Sequence, residues 1–154
     1  MNAIELSEIF KNFAKVRAVD SLSFSVREGE IFGLLGPNGA GKTTTIRMMM
    51  NIIYPDSGEI LIFGERLSEE LKERIGYLPE ERGLYKRMKV SDVLTYFGCL
   101  KNMERNHAKK RAEELLEEFE MERYSQLKVQ ELSKGNQQKL QFLSTILHDP
   151  DLII

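Results

Sequence analysis

The stretch Gly36-Pro37-Asn38-Gly39-Ala40-Gly41-Lys42-Thr43, GPNGAGKT, decides the fold. It fits the pattern G-x-x-x-x-G-K-[ST], and its flanks fit the context that the pattern requires. Before it stands EIFGLL (Glu30 to Leu35), nearly all apolar after its Glu. That is the pattern of a strand buried on both faces of a parallel sheet. After it, KTTTIRMMMNII reads as a helix ending near Tyr54-Pro55. The chemistry explains the spacing. Glycines let backbone N–H groups wrap a phosphate without Cβ clashes. A helix N-terminus, with its unpaired N–H groups and dipole, favours the same anion. Lys42 is placed to reach the β- and γ-phosphates of a nucleotide, and the Thr43 hydroxyl to meet Mg²⁺. The expected phosphate cradle is Gly36, Pro37, Asn38, Gly39, Ala40, Gly41, Lys42, Thr43 and Thr44.

Composition sets the bounds. The 154 residues are enough for one domain with a core. Hydrophobic residues make up 42% and charged residues 30%, an ordinary globular mix rather than a disordered one. A net charge of −2 supplies no general basic face for nucleic acid, so no nucleic-acid partner is expected. The single cysteine, Cys99, excludes an internal disulfide and fits a reducing compartment. It is expected to be a core thiol on a helix. The N-terminus MNAIELSEIF lacks the basic and apolar regions of a signal peptide. No apolar stretch approaches the roughly 18 residues that a membrane helix needs.

The rest of the chain alternates strands and helices, then turns helical. AIELSEIFKNF begins with apolar/polar alternation, and SLSFSV (Ser21 to Val26) alternates at period two. PDSG (Pro55 to Gly58) is a turn by its residue chemistry. EILIF and IGYLP read as strands, and SEELKERI as a short helix capped by Ser68. Met48 to Met50 are read as flexible core filler. From Lys89 to about Ser144 the pattern is helical, opened by a Ser91 cap. Ala108, Ala112, Leu115, Leu116 and Phe119 share one face, and Leu140, Leu143, Ile146 and Leu147 another. His107, in a charged helix, is expected to be solvated. HDPDLII (His148 to Ile154) reads as a helix end, a Pro turn and the first residues of a buried strand.

A second motif narrows the nucleotide-binding classes. ELSKGNQQK (Glu131 to Lys139), with Leu132 90 residues beyond Lys42, resembles the LSGGQ signature of the ATP-binding cassette (ABC) ATPases. A polar, Gly-containing loop opening a helix is physically another anion site. It is equally an ordinary helix start capped by Ser133. NFAKVRAVDSLSFSVREGEIFGLLGPNGAGKTTT, YPDSGEILIFG and IGYLPEERGLY resemble further segments of the family, so the likeness covers nearly the whole chain.

The resemblance implies an α/β chain: a P-loop NTPase core of N-terminal strands plus a parallel sheet, with a helical signature subdomain. It implies a P-loop core over 1–88, the helical subdomain over 89–144, and the start of the Walker B strand over 145–154. The C-terminal part of the core is expected to lie beyond Ile154. There the family carries an Asp that holds Mg²⁺ and a Glu that polarises water, so the 154 residues are expected to bind ATP without turnover. Phe13 falls where the family stacks an aromatic on adenine, with Ala18 near the same ring. Plain core packing is the other reading of Phe13. Leu132, Ser133, Lys134, Gly135, Asn136 and Gln137 would face a nucleotide held by a second cassette.

Two positions depart from the family pattern. Glu80 stands at the Q-loop glutamine; it is a candidate Mg²⁺ ligand or water-orienting group, yet its charge repels the γ-phosphate. Lys134 and Asn136 replace the first glycine and the glutamine of LSGGQ. The two motifs together resemble exporter ATPases of the sodium- and drug-efflux branch.

The implied partners are a second cassette, identical or not, and an integral membrane subunit contacted around Glu80 to Lys89. The implied location is the cytoplasmic face of the membrane. Two alternatives stand beside this: a soluble ABC ATPase acting on ribosomes, and a non-catalytic ATP-binding module.

Overall fold

The computed structural model describes residues 1–80 and 83–154. The chain packs as two compact units, Met1–Lys72 and Glu73–Ile154. The architecture is α/β, as the sequence implied.

The first unit is built on an antiparallel sheet in the order β2-β1-β3: β1 (Asn2–Phe13), β2 (Val16–Arg27) and β3 (Ser57–Ile62). The alternation in β1 explains its central place. Ile4 and Leu6 pair with Val26 and Phe24 on one side and with Ile62 and Ile60 on the other. Ile4, Leu6, Ile9, Val26 and Ile62 are buried there. The PDSG turn is pinned to β1 through Asp56. Its carboxylate accepts from Lys11 Nζ at 2.8 Å and from Asn12 N–H at 2.7 Å. The hydrogen bond from Lys11, then that from the Asn12 backbone, holds the Asp56 carboxyl below the usual range.

α1 (Lys42–Met49) buries Thr45, Met48 and Met49. Met50 is buried beside them, so the three methionines are core filler as expected. The helix stops earlier than the sequence suggested. Asn51 takes a left-handed φ of 53°, and the N–H groups of Ile52 and Ile53 both turn back to the Arg47 carbonyl. That closes the C-terminus well before Pro55.

The expected strand Glu30–Leu35 is not formed. These residues pair with no strand among those described, and Ile31 and Leu35 are 101% and 91% exposed. A parallel strand exists only through ladder partners on its edges, and an apolar run cannot supply them itself. Phe32 instead stacks on Phe24 of β2, ring centroids 5.0 Å apart.

After β3 in the chain comes α2 (Glu69–Glu73), with Ser68 Oγ accepting from Leu71 N–H as its cap. The second unit pairs β4 (Ile75–Gly76) in parallel with β5 (Leu152–Ile153). The pairing runs on through Leu78 N–H to the Ile154 carbonyl at 2.9 Å. Three helices carry the core: α3 (Val90–Leu100), α4 (Arg105–Glu118) and α5 (Lys134–Ile146). Leu94, Leu115, Leu116, Leu140, Leu143 and Leu147 are fully buried in one cluster, with Phe119 and Ile146 packed on its margin. The two apolar faces read from periodicity therefore both turn into this one cluster, which they share with α3.

Two local expectations are corrected. Ser91 is not the cap of α3: the helix begins at Val90, and Ser91 N–H donates instead to the Ser125 carbonyl at 3.1 Å. Cys99 is exposed, because Gly98 rather than Cys99 takes the inward position in the last turn of α3. His107 is exposed, as expected. Among the described residues, no helix is long and apolar enough to cross a membrane.

Candidate functional site

The GPNGAGKT loop opens α1 as its sequence requires. Gly41 is the N-cap, with φ 84°, and Gly39 has φ 83°, both in the left-handed region. Gly41 is also seated against β2. A Cβ there would stand 2.2 Å from the Ala18 carbonyl oxygen and 3.2 Å from Val19 Cγ2. Only glycine satisfies both constraints. Ala18, expected near the nucleotide base, thus lies against the end of the phosphate loop.

Lys42 Nζ donates to the carbonyls of Gly36 at 2.7 Å and Pro37 at 2.8 Å. The ammonium therefore draws the start of the loop back towards its end. Ala40 N–H donates to the Pro37 carbonyl at 3.2 Å, and Thr45 N–H to the Gly41 carbonyl at 2.8 Å. Asn38 is exposed, Thr43 is exposed, and Thr44 is half-buried. Four first-turn N–H groups at a helix start with no acidic residue make a ready anion site.

Phe13 closes the β1–β2 hairpin, paired with Val16. It is 46% exposed, with Lys11 Nζ 5.4 Å from its ring centroid. The ring is thus not packed into the core, which removes the plainer of its two readings. It remains at the edge of the unit that carries the phosphate loop.

In the second unit, the signature stretch starts α5. Leu132 is buried in the helical cluster and anchors the stretch. Ser133 is the N-cap, its Oγ accepting from Asn136 N–H at 3.2 Å. Lys134 and Gly135 are exposed in the first turn, and Asn136 and Gln137 are half-buried. Gln137 Nε2 donates to the Leu132 carbonyl at 3.0 Å, tying helix to anchor. Glu80 is exposed and belongs to this unit, whereas Lys42 and Thr43 belong to the other. Glu81 and Arg82, near the start of the expected membrane-subunit contact, lie outside the described residues.

One positioning residue was missed by sequence reading. Gln141 is 7% exposed, and its Nε2 donates to the Pro79 carbonyl at 3.0 Å. It ties the backbone just before Glu80 to the signature helix. The available signal was a polar side chain between Leu140 and Leu143, on the face that otherwise reads as core.

No group of three or more His, Cys, Asp or Glu side chains able to hold a metal occurs among the described residues. Mg²⁺ is usually held by one or two protein ligands plus substrate phosphates. The donor at the loop would be the Thr43 hydroxyl.

Comparison with known proteins agrees with this geometry. A family model described as ABC transporter matches residues 19–154. The chain is 47% identical over 98% of its length to an ABC transporter ATP-binding protein of Bacillus subtilis, YhaQ, itself uncharacterized. It is 38% identical over 99% of its length to the Nod factor export ATP-binding protein I of Paraburkholderia xenovorans. It covers 51% of each, so the chain spans about half the length of the curated relatives it matches. A solved ATP-binding subunit of an ABC transporter superposes with a TM-score of 0.87 at 28% identity, covering 98% of this chain and 64% of that one. With both motifs in place and the family model matched over most of its length, the chain belongs to the ABC transporter ATP-binding protein family.

Proposed function

We propose that the chain is the nucleotide-binding part of an export ATPase, and that its 154 residues bind ATP with Mg²⁺ without turning it over. The observation that carries nucleotide binding is the seat of Gly41 on the Ala18 carbonyl, which fixes the loop at the helix start with Lys42 folded over it. Backbone N–H groups from Gly39 to Thr44 hold the phosphates. Lys42 exchanges its two carbonyl contacts for phosphate oxygens, a charge-assisted replacement. Thr43 offers its hydroxyl to Mg²⁺, and Phe13 stacks on the adenine, with Ala18 beside it. Stacking tolerates any base, so nucleotide selectivity is modest.

In a dimer of cassettes, Ser133, Lys134, Gly135, Asn136 and Gln137 face the γ-phosphate held by the second cassette. The exposed first turn of α5 supports this reading. Glu80 adjoins the metal or the attacking water. The segment from Glu80 to Lys89 meets an integral membrane subunit at the cytoplasmic face of the membrane. The name of the Nod factor relative supports export as the direction.

The test is calorimetric titration of the 154-residue chain with MgATP, together with phosphate release. Binding is expected, and Lys42→Ala should weaken it about 10- to 100-fold, the size of a lost charge-assisted contact. Phosphate release above the Lys42→Ala control would refute the absence of turnover. Equal ATP affinity in both proteins would refute the site.

A further inference from the structure

We propose that Asp56 and Lys11 are positioning residues for nucleotide binding: together they hold the Phe13 ring in the attitude in which it stacks on the base. This rests on the reading of Phe13 as the base-stacking ring. All three residues belong to the first unit, as does the phosphate loop.

The need for such a hold comes from where Phe13 stands. It is the last residue of β1, at the mouth of a two-residue turn in which Ala14 takes a left-handed φ of 48°. Nearly half of it is exposed, so core packing alone does not fix its rotamer. A ring left free must be ordered by the incoming base, an entropy cost that weakens binding about 2- to 10-fold.

Asp56 restrains Phe13 from two directions. Its Oδ2 accepts from the N–H of Asn12, the residue before Phe13, at 2.7 Å, and from the Asn12 side-chain amide at 3.4 Å. Its Oδ1 accepts from Lys11 Nζ at 2.8 Å. The same ammonium lies 5.4 Å from the Phe13 ring centroid, within cation–π range. Contacts thus run from carboxylate to ammonium to ring face, and the opposite face is the one assigned to the base. Asp56 is itself held, its N–H donating to the Phe10 carbonyl at 2.8 Å.

The Lys11–Asp56 pair is not an ordinary solvated one. Only 16% of the Lys11 side chain is exposed, whereas the arginines of the Arg17–Asp20 and Arg66–Glu59 pairs in the same unit are mostly exposed. The same hairpin also reaches the phosphate loop. Lys11 pairs with Val19 and Asn12 with Arg17, which leaves Ala18 as the extra residue of a bulge. Gly41 is seated against the Ala18 carbonyl and Val19 Cγ2. One hairpin therefore carries the ring at its tip and the seat of the phosphate loop behind it.

The experiment is calorimetric titration of the 154-residue chain with MgATP and, separately, with magnesium tripolyphosphate, which offers phosphates without a base. F13A should lose about 5- to 100-fold for MgATP, the size of a lost base–aromatic stack, and nothing for tripolyphosphate. K11M and D56A should each lose about 2- to 10-fold for MgATP and nothing for tripolyphosphate. Added to F13A, neither should weaken MgATP binding further, because the ring they act through is gone. K11R should recover most of the loss seen in K11M, since a guanidinium also pairs with a carboxylate and lies on a ring. Equal losses for the two ligands would make the pair a structural pin of the PDSG turn and overturn the proposal. Parental MgATP binding by K11M and D56A, with F13A weakened, would overturn it and leave the stacking reading intact. Parental MgATP binding by F13A would overturn the stacking reading, and the proposal with it. Unchanged circular dichroism checks that each variant is folded.

Discussion

Replacing Gly41 by alanine separates two costs that this structure places on one residue. The first is backbone conformation: at φ 84° an L-residue loses about 1–2 kcal/mol. The second is contact. The new Cβ would lie 2.2 Å from the Ala18 carbonyl oxygen, a backbone atom that cannot swing away. Relieving this requires α1 and β2 to separate by about an ångström, a strain of the kind that costs about 1–3 kcal/mol. Gly41→Ala should therefore lose about 2–5 kcal/mol. Gly39 supplies the control. Its φ is 83°, but nothing lies within 4 Å of an added Cβ. Gly39→Ala should lose only the conformational part, about 1–2 kcal/mol. Urea unfolding followed by circular dichroism, with the m-value compared between proteins, reads both differences. MgATP titration should show Gly41→Ala binding the more weakly, since the end of its phosphate loop has moved. Equal midpoints for the two variants would refute the reasoning, because the Ala18 contact would then contribute nothing.

Four other outcomes follow from the packing. His148 is half-buried, with Nε2 3.3 Å from the Ile75 carbonyl and Nδ1 buried without a partner among the described residues. Burial first, then the Lys101 charge, pushes its pKa down. Its stabilising share is thus complete above the unfolded value near 6.5 and is lost as pH falls through the lower folded value. Urea midpoints measured from pH 8 to pH 5 should fall in the parent, and His148→Gln should flatten the part of that fall below about pH 6.5. Leu143→Ala, in the fully buried cluster, should cost about 2–5 kcal/mol. Leu35→Ala should stay within about 0.5 kcal/mol, since that side chain is exposed; a core-sized loss there would show that the segment is packed after all. Ser133→Ala removes the cap of α5 and should cost about 1 kcal/mol, restored in part by Ser133→Asp. No change would mean that the Asn136 N–H bond is not formed in solution.

The sequence by itself determined whatever depends on short range. Residue spacing placed the glycines and Lys42 of the phosphate loop. Period two marked β1 and β2, and helical spacing marked the inward faces of α4 and α5, because alternation and the 3.6-residue repeat are properties of the chain alone. Ser133 and Ser68 were readable as caps for the same reason. The tertiary structure decided what depends on partners distant in the chain. EIFGLL is as apolar as a buried strand, yet a strand also needs neighbours on its edges, and none of the described residues provides them. Ser91 has the right chemistry for a cap, but its N–H bonds the Ser125 carbonyl and the helix starts two residues earlier, capped at Lys89. Cys99 was expected inside and lies outside, because close packing at Gly98 sets the rotation of that last turn. Gln141 went unread in the sequence because its partner, the Pro79 carbonyl, lies 62 residues away. The seat of Gly41 on Ala18 is of the same kind. A motif names the glycine, and only the fold brings up the carbonyl that forbids anything larger.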